Sequence, residues 1–337
     1  MPRIRDSLLD TVFYLYPSRA AAERGKKIGG TGFLIAVESK ADPSEHWAFG
    51  VSNKHVVHTD GCSVARLNRL DGTMQIFELE PHEWIEHPDG DDVAIVPFAI
   101  DTDVHRAKGL GRDMFITKEL IGAEDIGPGD NVFMVGRFIN HEGKQQNDPS
   151  VRFGNISVMP KEKIRQTNGF LQESFAVEMR SMAGYSGSPV FIFKDGPTVG
   201  EPRILRWLTP GQKPKLWLLG IDWGHIVDDW PVRSKIVDKT QVQALSPTEA
   251  EVQYVRANTG MNGVVPAWKL ADLLNHKTII EYCDTMDQNL RKKKSRERGG
   301  TEFDSAAPAP SDEANPNHLE DFTRLVDVAA RKRPQDG

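Results

Sequence analysis

Gly184-Tyr185-Ser186-Gly187-Ser188-Pro189 sets a serine between glycines in a tight turn, directly ahead of the apolar run Pro189–Phe193. A lone serine of this kind is most often an ordinary turn residue. Two patterns upstream change the reading. Gly30-Thr31-Gly32-Phe33-Leu34-Ile35, then Ser52-Asn53-Lys54-His55-Val56, reads as a strand pair leading to a histidine at a turn. Asp91-Asp92-Val93-Ala94-Ile95 puts an acid immediately before a buried strand. Asp91 and Asp89 compete with Asp92, and Asp92 is preferred because it abuts the apolar run.

Outward from these patterns, the chain consists of short apolar runs punctuated by turns such as Pro88-Asp89-Gly90-Asp91. Strands are predicted over Thr31–Val37, Trp47–Val51, Met74–Leu79 and Val93–Phe98. A second set follows at Asn131–Gly136, Asn155–Val158, Phe175–Met179, Pro189–Phe193, Lys215–Ile221 and Glu251–Val255. Many short strands with frequent turns, in two sets, predict two barrels. Helix is predicted late: Pro266 opens Ala267–Leu274, where Trp268, Leu270, Leu273 and Leu274 recur at helical spacing.

The order His, Asp, Ser, with a Gly-X-Ser-Gly-X-Pro loop, resembles the trypsin-like (chymotrypsin-fold) serine proteases, and among them the non-secreted bacterial peptidases. Leu219-Gly220-Ile221-Asp222-Trp223-Gly224 resembles the strand that pairs with the substrate backbone in that family. Met261–Ala267 resembles its last strand and the turn before its closing helix. The resemblance implies an all-β fold of two six-stranded antiparallel β-barrels with a C-terminal helix. Residues 8–125 would carry His55 and Asp92, and residues 126–280 would carry Ser186 and the closing helix. It implies a serine endopeptidase that hydrolyses peptide bonds of a protein substrate through an acyl-enzyme, with no cofactor and no metal.

The chemistry accounts for the residue types. A serine hydroxyl needs a base to remove its proton, and the imidazole of His55 suits that near neutral pH. Asp92 would hold the other ring nitrogen and stabilise the imidazolium. The backbone N–H groups of Gly184 and Ser186 would form the oxyanion hole. By resemblance, Arg180, Ser181, Trp223, Gly224 and His225 build the primary specificity pocket. There Arg180 and His225 are donors suited to an acidic or amide side chain. Tyr185 stands where zymogen-type members carry the Asp that pairs with a freshly cut N-terminus, so activation of that kind is not expected. The family also associates cytosolic bacterial members with toxin or phage-defence modules. The reading from another class is a catalytically inert trypsin-like fold acting as a protein-binding module.

Other constellations fail. His55, His58 and Cys62 are competent zinc ligands but lack a second ligand cluster. Ser186, Asp222 and His225 have the order of an α/β-hydrolase triad, but Ser188 stands where the nucleophile elbow needs glycine. The basic run Arg291–Arg298 has no interleaved aromatics and reads as a solvated charge run, so nucleic acid is not an expected partner.

A net charge of −6 over 337 residues implies no wholesale attraction to nucleic acid or anionic membranes. The two cysteines, Cys62 and Cys283, form no spaced framework, which predicts a reducing, cytoplasmic location. No apolar stretch is long enough to span a membrane, and Met1–Pro17 lacks the pattern of a signal peptide. Residues 291–317 are polar and Pro/Ala-rich and are predicted as a disordered linker. Residues 318–333 are predicted as a short amphipathic helix for docking a partner, with Leu319, Phe322, Leu325, Val326 and Ala329 as its apolar stripe.

Overall fold

The computed structural model describes residues 3–139, 146–166, 168–179, 183–194, 215–231 and 254–299. Its first half contains β1 (Val12–Tyr16), β2 (Thr31–Glu38), β3 (His46–Ser52), β4 (Val64–Asn68), β5 (Met74–Phe77), β6 (Ile85–Glu86), β7 (Ala94–Pro97) and β8 (Leu110–Gly111). They form one eight-stranded sheet in the order β5-β4-β1-β2-β3-β7-β6, with β8 parallel to β2. The second half contains β9 (Asn131–Gly136), β10 (Ser150–Val158), β11 (Lys163–Arg165), β12 (Leu171–Glu173), β13 (Phe175–Met179), β14 (Pro189–Lys194), β15 (Lys215–Pro231) and β16 (Tyr254–Pro266). Six of these close a barrel, β10-β13-β16-β15-β14-β9, and β11 and β12 form a separate hairpin.

Two six-stranded barrels were expected, and the described residues close one. In the first half, β6 is only two residues long, pinned between the turn at Pro81–Glu83 and Pro88, and β5 ends at Phe77. Proline supplies no ladder donor, and end strands this short do not meet. The result is a sheet with two free ends.

Strand β1 has all five residues buried. Phe13 and Leu15 pack with Leu34, Val56 and Val57 on one face. Tyr14 and Tyr16 pack with Ala21 and Ala22 on the other, beneath the guanidinium groups of Arg66 and Arg137, the latter 4.1 Å from the Tyr16 ring centroid. The larger core continues from Phe33, Phe49 and Val51 of the sheet into Phe133, Phe175, Phe191 and Leu218 of the barrel.

Of three short helices, α1 (Asp6–Leu9) precedes β1, while α2 (Arg19–Glu23) and α3 (Lys118–Ala123) lie between strands. Helix α4 (Ala267–Leu274) has the predicted bounds and buries Ala267, Leu270, Leu273 and Leu274. Helix α5 (Lys277–Gly299) follows and corrects the predicted linker, because residues 291–299 are its last turns. Lys, Arg, Glu and Gln are strong helix formers despite their polarity. The remainder of the predicted linker, 300–317, and the predicted helix 318–333 lie outside the described residues. Among the described residues no helix is long and apolar enough to cross a membrane.

Buried Asp287 fastens α5 to the sheet, accepting from Ser39 Oγ at 2.5 Å, Trp47 Nε1 at 2.9 Å and the Lys40 amide at 3.1 Å. Tyr282 sets its ring edge-on to Phe49, with centroids 5.6 Å apart. Replacing Asp287 with Ala strands these donors at once. The expected cost is about 2–4 kcal/mol, read as a lower urea midpoint with an early change in Trp fluorescence.

Candidate active site

His55 opens a wide helical turn after β3, His55–Thr59, in which the Asp60 amide donates to the His55 carbonyl at 2.8 Å. Such five-residue turns recur at functional sites because they re-aim one side chain without ending the element. Asp92 sits just ahead of β7 and is buried. The two residues meet twice: the His55 amide donates to Asp92 Oδ1 at 2.9 Å, and His55 Nδ1 lies 2.7 Å from Asp92 Oδ2. With Nδ1 protonated toward the carboxylate, Nε2 is left as the basic nitrogen. Burial pulls the His55 pKa down, but the bond and charge of Asp92 outweigh it and leave the imidazole above its usual value.

Asp91, the competing acid, faces elsewhere. Its carboxylate accepts from Gln172 Nε2 at 2.6 Å and pairs with Lys269 Nζ at 2.9 Å, while His87 Nδ1, 3.2 Å away, accepts the Asp89 amide. Fully buried Gln172 also accepts the Asp92 amide through Oε1 at 2.9 Å. One glutamine of β12 thus fixes both acids, and Asn53 Nδ2 holds the Asp92 carbonyl at 2.8 Å.

The Ser186 turn is clasped to the sheet by Thr31. The Thr31 amide donates to the Ser186 carbonyl at 2.9 Å, and its hydroxyl donates to the Gly184 carbonyl at 2.8 Å. Within the turn, the Ser188 amide donates to the Tyr185 carbonyl. On the barrel side, the Gly187 amide donates to the Asp222 carbonyl at 2.8 Å and the Asp222 amide to the Ser188 carbonyl at 2.9 Å. Gly187 is required: its φ is +87°, and a β-carbon there would stand 2.0 Å from the Thr31 carbonyl oxygen. A β-carbon on Gly30 would stand 2.8 Å from Val56 Cγ1 and 3.0 Å from the Ser186 carbonyl oxygen, so the histidine turn and the serine turn converge on one point. Tyr185 is buried in the barrel, its hydroxyl against Ser150 Oγ and 3.0 Å from Arg152 Nε.

Among the described residues, the amides of Gly184 (φ +99°) and Ser186 make no hydrogen bond, and none joins Ser186 Oγ to His55. Triad hydrogen bonds commonly tighten only when substrate arrives.

Of the predicted pocket residues, Arg180 and Ser181 lie outside the described residues. A β-carbon on Gly224 would be 3.7 Å from Ser186 Oγ, which puts this residue beside the serine. Trp223 donates from Nε1 to Ser174 Oγ at 2.9 Å and lies flat on Gly263. His225 pairs across the ladder with Asn262. Burial holds its pKa below the usual value, against the upward pull of a side-chain hydrogen bond with Asn262. Thr31, Gln172 and Asn262 also shape the site, and the sequence patterns assign them no site role.

The zinc candidates His55, His58 and Cys62 do not form a ligand cluster among the described residues. His58 pairs with Glu86, and Cys62 Sγ points to the Asp60 carbonyl. His87, Asp89 and Asp91 do place ligand atoms within 4.8 Å of one another, but the Lys269 ammonium already sits on Asp91.

No protein-family model and no curated protein matches this chain. Three solved structures are similar to it. The MamO protease domain from Magnetospirillum magneticum (apo form) is 13% identical, covers 80% of this chain and 97% of its own, and has a TM-score of 0.44. Deg5 is 14% identical, with 65% and 81% covered and a TM-score of 0.38. Rv3671c from M. tuberculosis H37Rv, in an inactive mutant form, is 14% identical, with 80% and 88% covered and a TM-score of 0.37.

The division of labour between the acids is testable. Asp91→Ala removes the acceptor that Lys269 and Gln172 share, leaving them the Glu173 carboxylate and carbonyl, and is expected to cost about 1–3 kcal/mol of stability, measured by chemical denaturation. The His55–Asp92 bond does not pass through the Asp91 carboxylate.

Proposed function

We propose that the chain is a serine endopeptidase in which Ser186 attacks, His55 takes its proton and Asp92 orients and stabilises the imidazolium. The observation that carries this reading is the 2.7 Å contact of His55 Nδ1 with a buried carboxylate. It leaves Nε2 as the basic nitrogen, on a turn that converges with the serine turn. Among the described residues the amides of Gly184 and Ser186 make no hydrogen bond, which suits them to an oxyanion. Peptide hydrolysis would proceed by attack of Ser186 Oγ on the carbonyl carbon and transfer of its proton to His55. The amine then leaves with that proton, and water cleaves the ester by the same steps. No metal or cofactor enters this scheme. Cys62 and Cys283 are both free and buried, which supports a reducing, cytoplasmic setting.

One observation favours the second reading, an inert fold that binds protein segments: no hydrogen bond joins Ser186 Oγ to His55. Fluorophosphonate labelling separates the two. The wild-type chain is expected to label at Ser186. Ser186→Ala, His55→Ala and Asp92→Asn are each expected to lose on the order of 10⁴–10⁶ in rate, with double variants little worse than single ones. A wild-type chain that does not label, or a His55→Ala variant that still does, overturns the peptidase reading.

For specificity, His225 and Asn262 pair across the ladder beside Gly224 and offer polar side chains that can bond an acidic or amide group, so the residue before the scissile bond is proposed to be Glu, Gln, Asp or Asn. A peptide library is expected to show that preference, with at least about tenfold loss in His225→Ala. A preference for Lys, Arg or large apolar residues refutes it.

A further inference from the structure

Asp91 and Asp92 are consecutive, yet one carboxylate faces a lysine and the other a histidine. They share a tight turn: the Val93 amide donates to the Asp91 carbonyl at 2.7 Å, which makes Asp92 the corner. Asp92 lies ahead of β7 and outside every strand, so its buried peptide groups need partners from elsewhere. Two side chains supply them. Asn53 Nδ2 donates to the Asp92 carbonyl at 2.8 Å, from two residues before His55. Gln172 Oε1 accepts the Asp92 amide at 2.9 Å, from β12 in the second half.

Gln172 is fully buried, and its amide fits only one way round. Nε2 donates to Asp91 Oδ1 at 2.6 Å and to the Glu173 carbonyl at 3.1 Å. A carboxylate paired with lysine and a carbonyl can only accept, so Oε1 is the atom left to meet the Asp92 amide. An ionised glutamate at this position would have no donor for Asp91, and an apolar residue would serve neither neighbour. The strands that carry this glutamine, β11 and β12, form a hairpin apart from the barrel.

We propose that Gln172 is a positioning residue for the proposed reaction, holding the Asp92 amide so that the carboxylate stays on the His55 Nδ1 proton. The inference rests on the peptidase reading of Ser186 and His55. Asp92 is bonded at both of its peptide groups and at both carboxylate oxygens, the latter by the His55 amide and Nδ1. Removing the Gln172 acceptor leaves a buried amide unpaired, which is costly. The corner then rotates toward another acceptor and takes the carboxylate with it. Asp91 is no replacement, since Lys269 holds it. Acid and base of the first half thus stay aligned only while the hairpin of the second half is seated.

The test follows the His55 Nδ1 proton by NMR in the full chain, with the resonance assigned by its loss in His55→Ala. Gln172→Met keeps the length and removes the amide, and the proton is expected to exchange with water at least about tenfold faster. Asp91→Asn breaks the Lys269 pair but keeps an oxygen for Gln172 Nε2, and exchange is expected to stay at the wild-type rate. An unchanged proton in Gln172→Met overturns the proposal. So does equal acceleration in both variants, the mark of general loosening. Should Gln172→Met fail to fold, wild-type amide exchange decides: the Asp92 amide is expected to be protected alongside barrel amides such as Val177, and exchange at the rate of an exposed amide is the negative result. In turnover, Gln172→Met is expected to lower kcat with KM unchanged. The NMR readouts need no turnover, so a chain that fails to label with fluorophosphonate counts against the peptidase reading, and an unmoved Nδ1 proton counts against Gln172.

Discussion

The amide and hydroxyl of Thr31 join the two halves of the molecule, and its carbonyl binds within the first half. Its amide and hydroxyl hold the carbonyls of Ser186 and Gly184, its hydroxyl accepts the Arg137 amide at 2.9 Å, and its carbonyl accepts Ser52 Oγ at 2.8 Å. The residue is fully buried, where a hydrogen bond left unmade is expensive. The four contacts therefore stand or fall together. Thr31 begins β2, the strand that pairs with β1, β3 and β8, so the serine turn takes its position from the centre of the first sheet. His55 follows β3, the next strand over. Base and nucleophile belong to different halves, yet both are referenced to the same two strands.

The acids are handled by the same logic from the opposite direction. Gln172 comes from the second half and grips Asp91 and the Asp92 amide in the first. Lys269 of α4 closes on Asp91 as well. Two adjacent carboxylates so close together would repel if both were ionised in isolation. Here each has its own cation: Asp91 takes an ammonium that is always charged near neutrality, and Asp92 takes a histidine whose charge can come and go. Only the second arrangement can do acid–base work. The difference lies in the partner, since the carboxylates themselves are chemically identical.

That distinction also marks how far sequence could go. The histidine turn, the acid before β7 and the serine loop are local patterns, each carried by four to six consecutive residues, and they were legible. Asp92 was preferred over Asp91 on its abutment to Val93; in the structure Asp92 contacts His55, while Gln172, 80 residues from Asp92, bonds the Asp92 amide and the Asp91 carboxylate. No local pattern announces the contacts of Gln172 or Thr31, because they exist only once distant strands are paired. β1 was missed for a related reason. Val12–Tyr16 is buried on both faces, so it lacks the alternation that betrays a half-exposed strand. The end of α5 was missed because a charged, non-amphipathic run was equated with disorder, although helix propensity does not require an apolar face. The closed barrel was expected twice because the strand count allowed it. Closure depends on whether the last strands are long enough to meet, and the prolines around β6 decide against it.

The histidine and the serine are tied into the fold by different halves, and each carries a different constraint. Asp92 is held by two contacts to His55 itself and follows the histidine wherever its turn goes. Asp222, within β15, is tied by its backbone to Gly187 and Ser188 and follows the serine turn. A small separation of the two halves would leave the His55–Asp92 pair intact while carrying the serine turn away from it. The Thr31 clasp opposes that separation, so the position of the serine turn relative to His55 depends on one set of buried hydrogen bonds.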